Sequence, residues 1–303
     1  MPGFHDVVHD FKRVRAIMER PEDLGIPRAE RGPGELGGSL RLTDDRGQSG
    51  DLFDLTGRVA VVAGITSVLG LAMAEGLARH GARIVGIGRN PEKLERVRTE
   101  LLKEGAEFHL LTADVTNRKA LEQARDEASA WAGGGLDILL NTAGTNSQTP
   151  FFDVTDDEWD HILDTNLKSV WLACQVFGRT MVEQESGSII NISSVASERP
   201  LSRVSTYAVT KAGVDNLTKF LAREWGPYHV RVNAIVPGFF PAEQNRRLLT
   251  EERLANIHAH TPLGRLGRPE ELQGTAVWLA SRASEFVTGA IVRVDGGFSV
   301  TTF

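Results

Sequence analysis

The chain has 303 residues and an ordinary apolar fraction of 41%, enough for one large α/β domain or two smaller ones. Its net charge of −6 removes any general electrostatic reason to bind nucleic acid or an anionic membrane. The single cysteine, Cys174, excludes an internal disulfide and a cysteine-cluster metal site, and fits a reducing compartment.

Residues 1–52 differ from the rest. Val8, Phe11, Val14 and Met18 recur at helical spacing, but "RAERGPGELGG" and "DDRGQSG" are polar, Gly-rich connection, so this segment reads as an N-terminal arm. Its mixture of acids and bases is unlike a secretory signal. No apolar run in the chain approaches the roughly 20 residues of a membrane helix, so a cytoplasmic protein is expected.

From Phe53 the pattern alternates. Strand "RVAVVAG" is followed by helix "LAMAEGLARHG", strand "ARIVGIG", helix "PEKLERVRTELLKEG", strand "EFHLLTADV", helix "KALEQARDEASAWAG" and strand "DILLNTAG". A helix over 156–184, strand "GSIINISS", a helix over 206–225, strand "VRVNAIVPG", helical stretches over 243–258 and 269–281 and strand "AIVRVDGG" complete the series. Strands alternating with helices of this length imply a parallel sheet of βαβ units. The expected fold class is therefore α/β: one doubly wound Rossmann-type domain over 53–303 with a seven-stranded parallel sheet.

The first strand runs directly into "AGITSVLGLA", a Gly-rich turn that opens a helix. Such a turn presents backbone N–H groups and the positive end of the helix dipole, which suits a pyrophosphate. Gly64 and Gly70 fit its outer glycines. Arg89 ends the second strand and can meet a ribose 2′-phosphate; Asp114 ends the third and can accept from an adenine amine; Asn141 and Gly144 follow the fourth. All four stand at carboxyl ends of strands, where open sheets of this kind bind ligands.

"STYAVTKAG" carries Tyr207, one of only two tyrosines, and Lys211 one helical turn later. Residues four apart share a helix face, so the ammonium can reach the phenol or something it touches. Thr155 and Glu158 form a T-x-x-E capping box for the helix after the fourth strand. Asn166 falls on that helix's apolar stripe of Trp159, Ile162, Leu163, Leu167 and Val170, where a polar group needs a partner.

The glycine turn, "NTAG", Asn166, Ser194 thirteen residues before Tyr207, "YAVTK", Pro237–Gly238 and the terminal "VDGG" together resemble the classical short-chain dehydrogenase/reductase family. The resemblance covers Phe53 to Phe303 and leaves the arm outside. It implies an NAD(P)-dependent oxidoreductase that is a homotetramer, with Asn166, Ser194, Tyr207 and Lys211 as the catalytic set. Tyr207 would be the acid/base, Ser194 would hold the substrate oxygen, Lys211 would tune the phenol and bind the nicotinamide ribose, and Asn166 would anchor a water leading to Lys211. The implied cofactor residues are Gly64, Ser67, Val68, Leu69, Gly70, Arg89, Asp114, Val115, Asn141, Ala143, Gly144, Tyr207, Lys211, Pro237 and Gly238. An unperturbed phenol titrates near pH ~10, and one ammonium at ~4 Å in an effective dielectric near 20 supplies about the 4 kcal/mol needed to bring it to ~7. Gly88 stands where NAD-specific relatives carry an acid, which favours NADP(H) and leaves NAD(H) as the second cofactor.

Two departures stand out. Val68 replaces the family's middle glycine, and a β-branched residue cannot take positive φ, so the phosphate turn is expected to follow a different path. Ala242 replaces the threonine that usually holds the nicotinamide carboxamide.

The substrate lobe, about 239–268, is polar, with Glu243, Gln244, Asn245, Arg246 and His260. A long acyl chain wants an apolar groove, whereas a sugar acid wants hydrogen bonds and a cation. This stretch, with "RPLSRVSTY", resembles D-mannonate oxidoreductases and, less closely, gluconate 5-dehydrogenases. A sugar-acid substrate is expected, met by Asn146, Arg203, Gln244 and Arg246. The alternatives are a 3-oxoacyl-thioester reductase on the same scaffold and a non-catalytic nucleotide sensor. His258 and His260 lack a third ligand at suitable spacing, so no metal is expected.

Overall fold

Val59, Val61 and Ala63 pack on one face of the sheet and Ala60 and Val62 on the other, so β1 (Val59–Ala63) is apolar without alternation because both faces are covered. The computed structural model describes residues 51–241 and 250–301. The expected helix around Val8 to Met18, and Ala242, Gln244 and Arg246, lie outside the described residues.

The remaining strands are β2 (Arg83–Gly88), β3 (Phe108–Thr112), β4 (Ile138–Asn141), β5 (Gly187–Ile192), β6 (Val230–Pro237) and β7 (Ile291–Val294). All pair in parallel in the order β3-β2-β1-β4-β5-β6-β7, the seven-stranded sheet expected. Strand order reverses between β1 and β4, which opens a crevice at their carboxyl ends.

Helices cover both faces. On one lie α1 (Val68–Arg79), α2 (Pro91–Lys103) and α8 (Gln273–Ala280), with Met73, Leu77, Leu94, Leu101 and Val277 in the core. On the other lie α3 (Arg118–Ala132), α5 (Ser169–Glu183) and α6 (Ser205–Trp225), with Leu121, Phe177, Met181 and Val214 buried. Where helical stretches are expected over 243–258 and 269–281, the described residues hold α7 (Glu251–Ala259) and a short 3₁₀ turn, Pro269–Leu272, before α8.

The helix expected over 156–184 is interrupted. α4 (Asp156–Leu163) passes into a π turn, Asp164–Lys168, before α5 resumes at Ser169. A π turn inserts one residue into the helical ladder and rotates the next turn about the axis, and such insertions recur at functional sites. Asn166 sits in it, fully buried.

Candidate active site

Gly64 takes φ +92, and a Cβ there would lie 2.6 Å from the Ala143 backbone nitrogen. Only glycine satisfies both demands, and the result is that β1 and the "NTAG" segment touch through their backbones. At Gly70 a Cβ would lie 2.5 Å from Thr142 Oγ1 and 2.7 Å from Ser67 Oγ. Ser67 caps α1 by accepting from the Gly70 amide at 3.0 Å. Val68 is the first residue of that helix and does not have positive φ. The different path expected of the turn is therefore not needed: position 68 is helical here, a conformation any L-residue adopts, and the demand for positive φ falls on Gly64 alone.

A cleft opens over this turn, lined on one side by Ser67, Val68 and Leu69 and on the other by Ser194, Tyr207 and Lys211. Gly144, Asn146, Pro237 and Gly238 complete the expected lining. Gly238 reaches its place because a Cβ there would meet the Asp295 backbone at 2.7 Å, and Asp295 accepts from the amides of Gly297 and Ser299 at 2.9 and 2.8 Å. The "VDGG" motif thus serves as the buttress for "PG".

Ser194 and Ser193 point differently. Ser194 lines the cleft with Tyr207, and its hydroxyl accepts from the Ala196 amide at 3.2 Å. Ser193 donates to the Lys211 carbonyl at 3.3 Å. Lys211 is buried, 5.6 Å from the Tyr207 ring centre, and its ammonium donates to the Ile192 carbonyl at 2.8 Å. Burial lowers its pKa to about 8, opposed by the charge of Asp215. Burial likewise pushes the Tyr207 phenol up, opposed by the Ser194 hydrogen bond. The expected direction for the phenol is downward. The structure gives the opposite because desolvation of a buried phenolate is the larger effect, and the ammonium is engaged by a strand carbonyl.

Asn166 accepts from the Thr145 amide at 2.7 Å and donates to the Thr145 carbonyl at 2.8 Å, with a further contact to Thr210 Oγ1 at 3.3 Å. Its side chain clamps the segment after "NTAG" to the π turn and does not line the cleft.

Several expected cofactor residues lie elsewhere. Asn141, expected beside the crevice, has a buried side chain that donates to Asn191 Oδ1 at 2.8 Å, so it faces the core. Ala143 packs under Gly64, and Val115 belongs to the core. Arg89 and Asp114 stand together at the ends of β2 and β3, exposed, 3.9 Å apart, with Asp114 Oδ1 also accepting from the amide and hydroxyl of Thr116. An acid in place of Gly88 would crowd its neighbours: a Cβ there would lie 2.7 Å from Thr66 Cγ2 and 3.1 Å from Leu94 Cδ2, so those side chains would have to shift. Arg203 is exposed and does not line the cleft.

The cleft also takes in Thr66, Lys93, Thr142, Thr145, Ile192, Ser193 and Phe240, which sequence reasoning missed. Thr66 lies within the glycine turn and Phe240 follows "PG", so proximity to the motifs was the available signal; for Thr145 there was none. The residues present fit a dinucleotide: a glycine-built turn capped into a helix, a basic residue beyond β2 and a cleft leading to Tyr207.

A family model described as enoyl-(acyl carrier protein) reductase matches residues 64–299. Gluconate 5-dehydrogenase of Gluconobacter oxydans is 39% identical over 254 residues, 83% of this chain and 98% of the relative. 2-Dehydro-3-deoxy-D-gluconate 5-dehydrogenase of Escherichia coli is 38% identical over 250 residues, 81% of this chain and 97% of the relative. The crystal structure of a gluconate 5-dehydrogenase from Burkholderia cenocepacia in complex with NADP and tartrate superposes with TM-score 0.80 at 36% identity, over 83% of this chain and 99% of that one. With the glycine-built turn, the Ser194–Tyr207 pair and Lys211 at one cleft, and these relatives matching over nearly their whole length, the chain belongs to the classical short-chain dehydrogenase/reductase family of oxidoreductases.

Proposed function

We propose that the protein interconverts a secondary alcohol and a ketone on a sugar acid of the gluconate type, using NADP(H) in preference to NAD(H). The observation that carries this reading is that Ser194, Tyr207 and Lys211 line one cleft with the capped turn of α1. A bound nicotinamide supplies or takes the hydride. Tyr207 donates its phenolic proton to the substrate oxygen in the reducing direction and receives it in the other. Ser194 Oγ holds the same oxygen as charge develops there. Burial keeps the Tyr207 phenol protonated near neutral pH, the form that reduction requires. Lys211, held by the Ile192 carbonyl beneath the phenol, brings a cationic group close to that proton.

Gluconate-type acids, and not mannonate or fructuronate, stand first because the relatives' names point to them. NADP(H) is favoured by the exposed Arg89 beside Gly88, which brings no carboxylate to repel a phosphate. Of the expected substrate residues, Asn146 lines the cleft. A sugar-acid and polyol panel, run in both directions with both cofactors, tests the reading: turnover of D-gluconate or 5-keto-D-gluconate above neutral polyols is expected, and preferential reduction of acyl-thioester ketones would overturn it.

Family resemblance further supports a homotetramer in the cytoplasm. Trp171 on α5 and Val209 and Phe220 on α6 are 42, 52 and 59% exposed, apolar surface of the kind that symmetry mates cover. Light scattering showing a monodisperse monomer would overturn this assembly. Among the described residues no helix is long and apolar enough to cross a membrane.

A further inference from the structure

The T-x-x-E at 155–158 predicts a reciprocal capping box, in which the Glu158 carboxylate reaches back to the helix start. Half of it forms: Thr155 Oγ1 accepts from the Glu158 amide at 3.2 Å. The carboxylate itself turns to the segment after "NTAG", where Oε1 accepts from Ser147 Oγ at 2.7 Å and Oε2 from Thr149 Oγ1 at 2.8 Å. Hydrogen bonds to an ionised oxygen are about twice as strong as neutral ones.

The same segment is tied at its far side. The Thr149 amide donates to the Arg203 carbonyl at 3.0 Å, and Arg203 takes φ +62, a left-handed conformation that L-residues other than Asn and Asp seldom adopt. Arg203 lies just ahead of α6, the helix of Tyr207 and Lys211. Glu158, Thr149 and Arg203 therefore link α4 to the entry of the catalytic helix.

Between the clamped hydroxyls sits Gln148, and before them Asn146. Asn146 Oδ1 and Gln148 Nε2 are buried atoms without a hydrogen-bond partner, and Asn146 lines the cleft. Leaving a buried polar atom unmatched is costly, so such an atom beside a cleft marks a place for a ligand. Asn146, the one of the two that lines the cleft, carries both an acceptor and a donor in its amide, which suits a polyhydroxy acid that offers both hydroxyl protons and oxygens.

We propose that Glu158 is a positioning residue for substrate: by holding Ser147 and Thr149, its carboxylate fixes the path of the segment that presents the Asn146 amide to the sugar acid in the cleft. The proposal rests on the sugar-acid reading above. Its test uses the full chain as Glu158→Ala, Glu158→Gln, Ser147→Ala with Thr149→Val, and the triple combination with Glu158→Ala. Each is assayed with D-gluconate and NADP⁺ and with 5-keto-D-gluconate and NADPH. NADPH is titrated by fluorescence, and amide exchange is followed across 145–150 without added ligand.

Glu158→Ala is expected to raise KM by about tenfold or more, the consequence of losing a charged hydrogen-bond acceptor. The NADPH dissociation constant stays within about twofold, the Ser147/Thr149 pair reproduces the KM rise, and the triple variant adds little because the groups act as one unit. Glu158→Gln, which keeps one acceptor, falls between. Exchange at the Thr149 amide accelerates in Glu158→Ala. A loss of thermal stability with KM unchanged, or a Ser147/Thr149 variant without effect, would reduce Glu158 to a helix cap and overturn the proposal. If the wild-type protein turns over neither acid, the substrate reading falls separately, and exchange at Thr149 then decides the clamp: acceleration in Glu158→Ala supports it, and unchanged exchange overturns it.

Discussion

The turn 64–70 and the segment 145–150 flank the same cleft, yet the first is fixed by absent atoms and the second by side chains. At Gly64 and Gly70 the missing Cβ lets the β1 turn lie against Ala143 and Thr142. At 145–150 the path is set by Asn166 on Thr145, Glu158 on Ser147 and Thr149, and Arg203 on Thr149. Close backbone packing admits few substitutions and few conformations, which suits an invariant pyrophosphate. Side-chain clamps can be re-aimed by one substitution, which suits a wall that must match one substrate among many.

Four measurements would break or sharpen that contrast, beginning where both walls meet the reacting atoms. Tyr207→Phe is expected to lower turnover by about 10²–10⁴-fold, the usual worth of a positioned general acid, while NADPH affinity hardly changes because the ring remains. Retention of more than a few per cent of turnover at saturating cofactor would exclude Tyr207 as the proton carrier.

On the turn itself, Gly64→Ala forces a methyl both into positive φ and into the Ala143 backbone, so a loss of roughly 2–5 kcal/mol is expected in chemical denaturation. Its counterpart is the smallest effect of all. Val68→Gly, at a helical position, should cost only about 0.5–1 kcal/mol. Comparable losses at both sites would mean that the turn's conformation rests on something other than Gly64.

Arg89→Ala is expected to weaken NADPH binding by roughly 10- to 150-fold at low salt, the worth of one charged hydrogen bond, with NADH little changed. Equal weakening of both cofactors would show that Arg89 does not read the 2′-phosphate. Its 3.9 Å contact with Asp114, between exposed groups, adds little stability of its own, so the effect belongs to binding.

For Lys211 the readout is pH. Its folded pKa is lowered from 10.5 to about 8, so between those values the unfolded chain holds a proton that the folded chain has released. Stability from this group therefore rises with pH through that window, and the penalty of burying the ammonium is present in full below it. Lys211→Met should flatten the rise, measured as urea midpoints from pH 7.5 to 10; an unchanged slope would place the proton release on another group.

Sequence and structure divided the molecule unevenly. The seven-stranded parallel sheet and the shared helix face of Tyr207 and Lys211 were legible in patterns that local physics imposes, apolar runs bounded by glycine and a helical spacing of four, whereas Ser194 was legible only through the family resemblance. The interruption of the long helix at 164–168 had no such signature, since a π turn uses the same residues as the α-helix around it and is decided by what Asn166 can bond. Thr145 was likewise invisible, because its contribution is a backbone amide and carbonyl.

What the sequence determined by itself is the sheet and the residue types at its carboxyl edge, which rest on short-range periodicity and on glycines whose role is steric, and the family, which rests on the resemblance of its motifs. Only the tertiary structure decided that Val68 is helical and needs no positive φ, that Asn141 faces the core toward Asn191, that the Tyr207 phenol is pushed up by burial, and that Glu158 leaves its own helix for Ser147 and Thr149. In each case the deciding partner is distant in sequence or is the low-dielectric interior itself, and neither can be read from neighbouring residues.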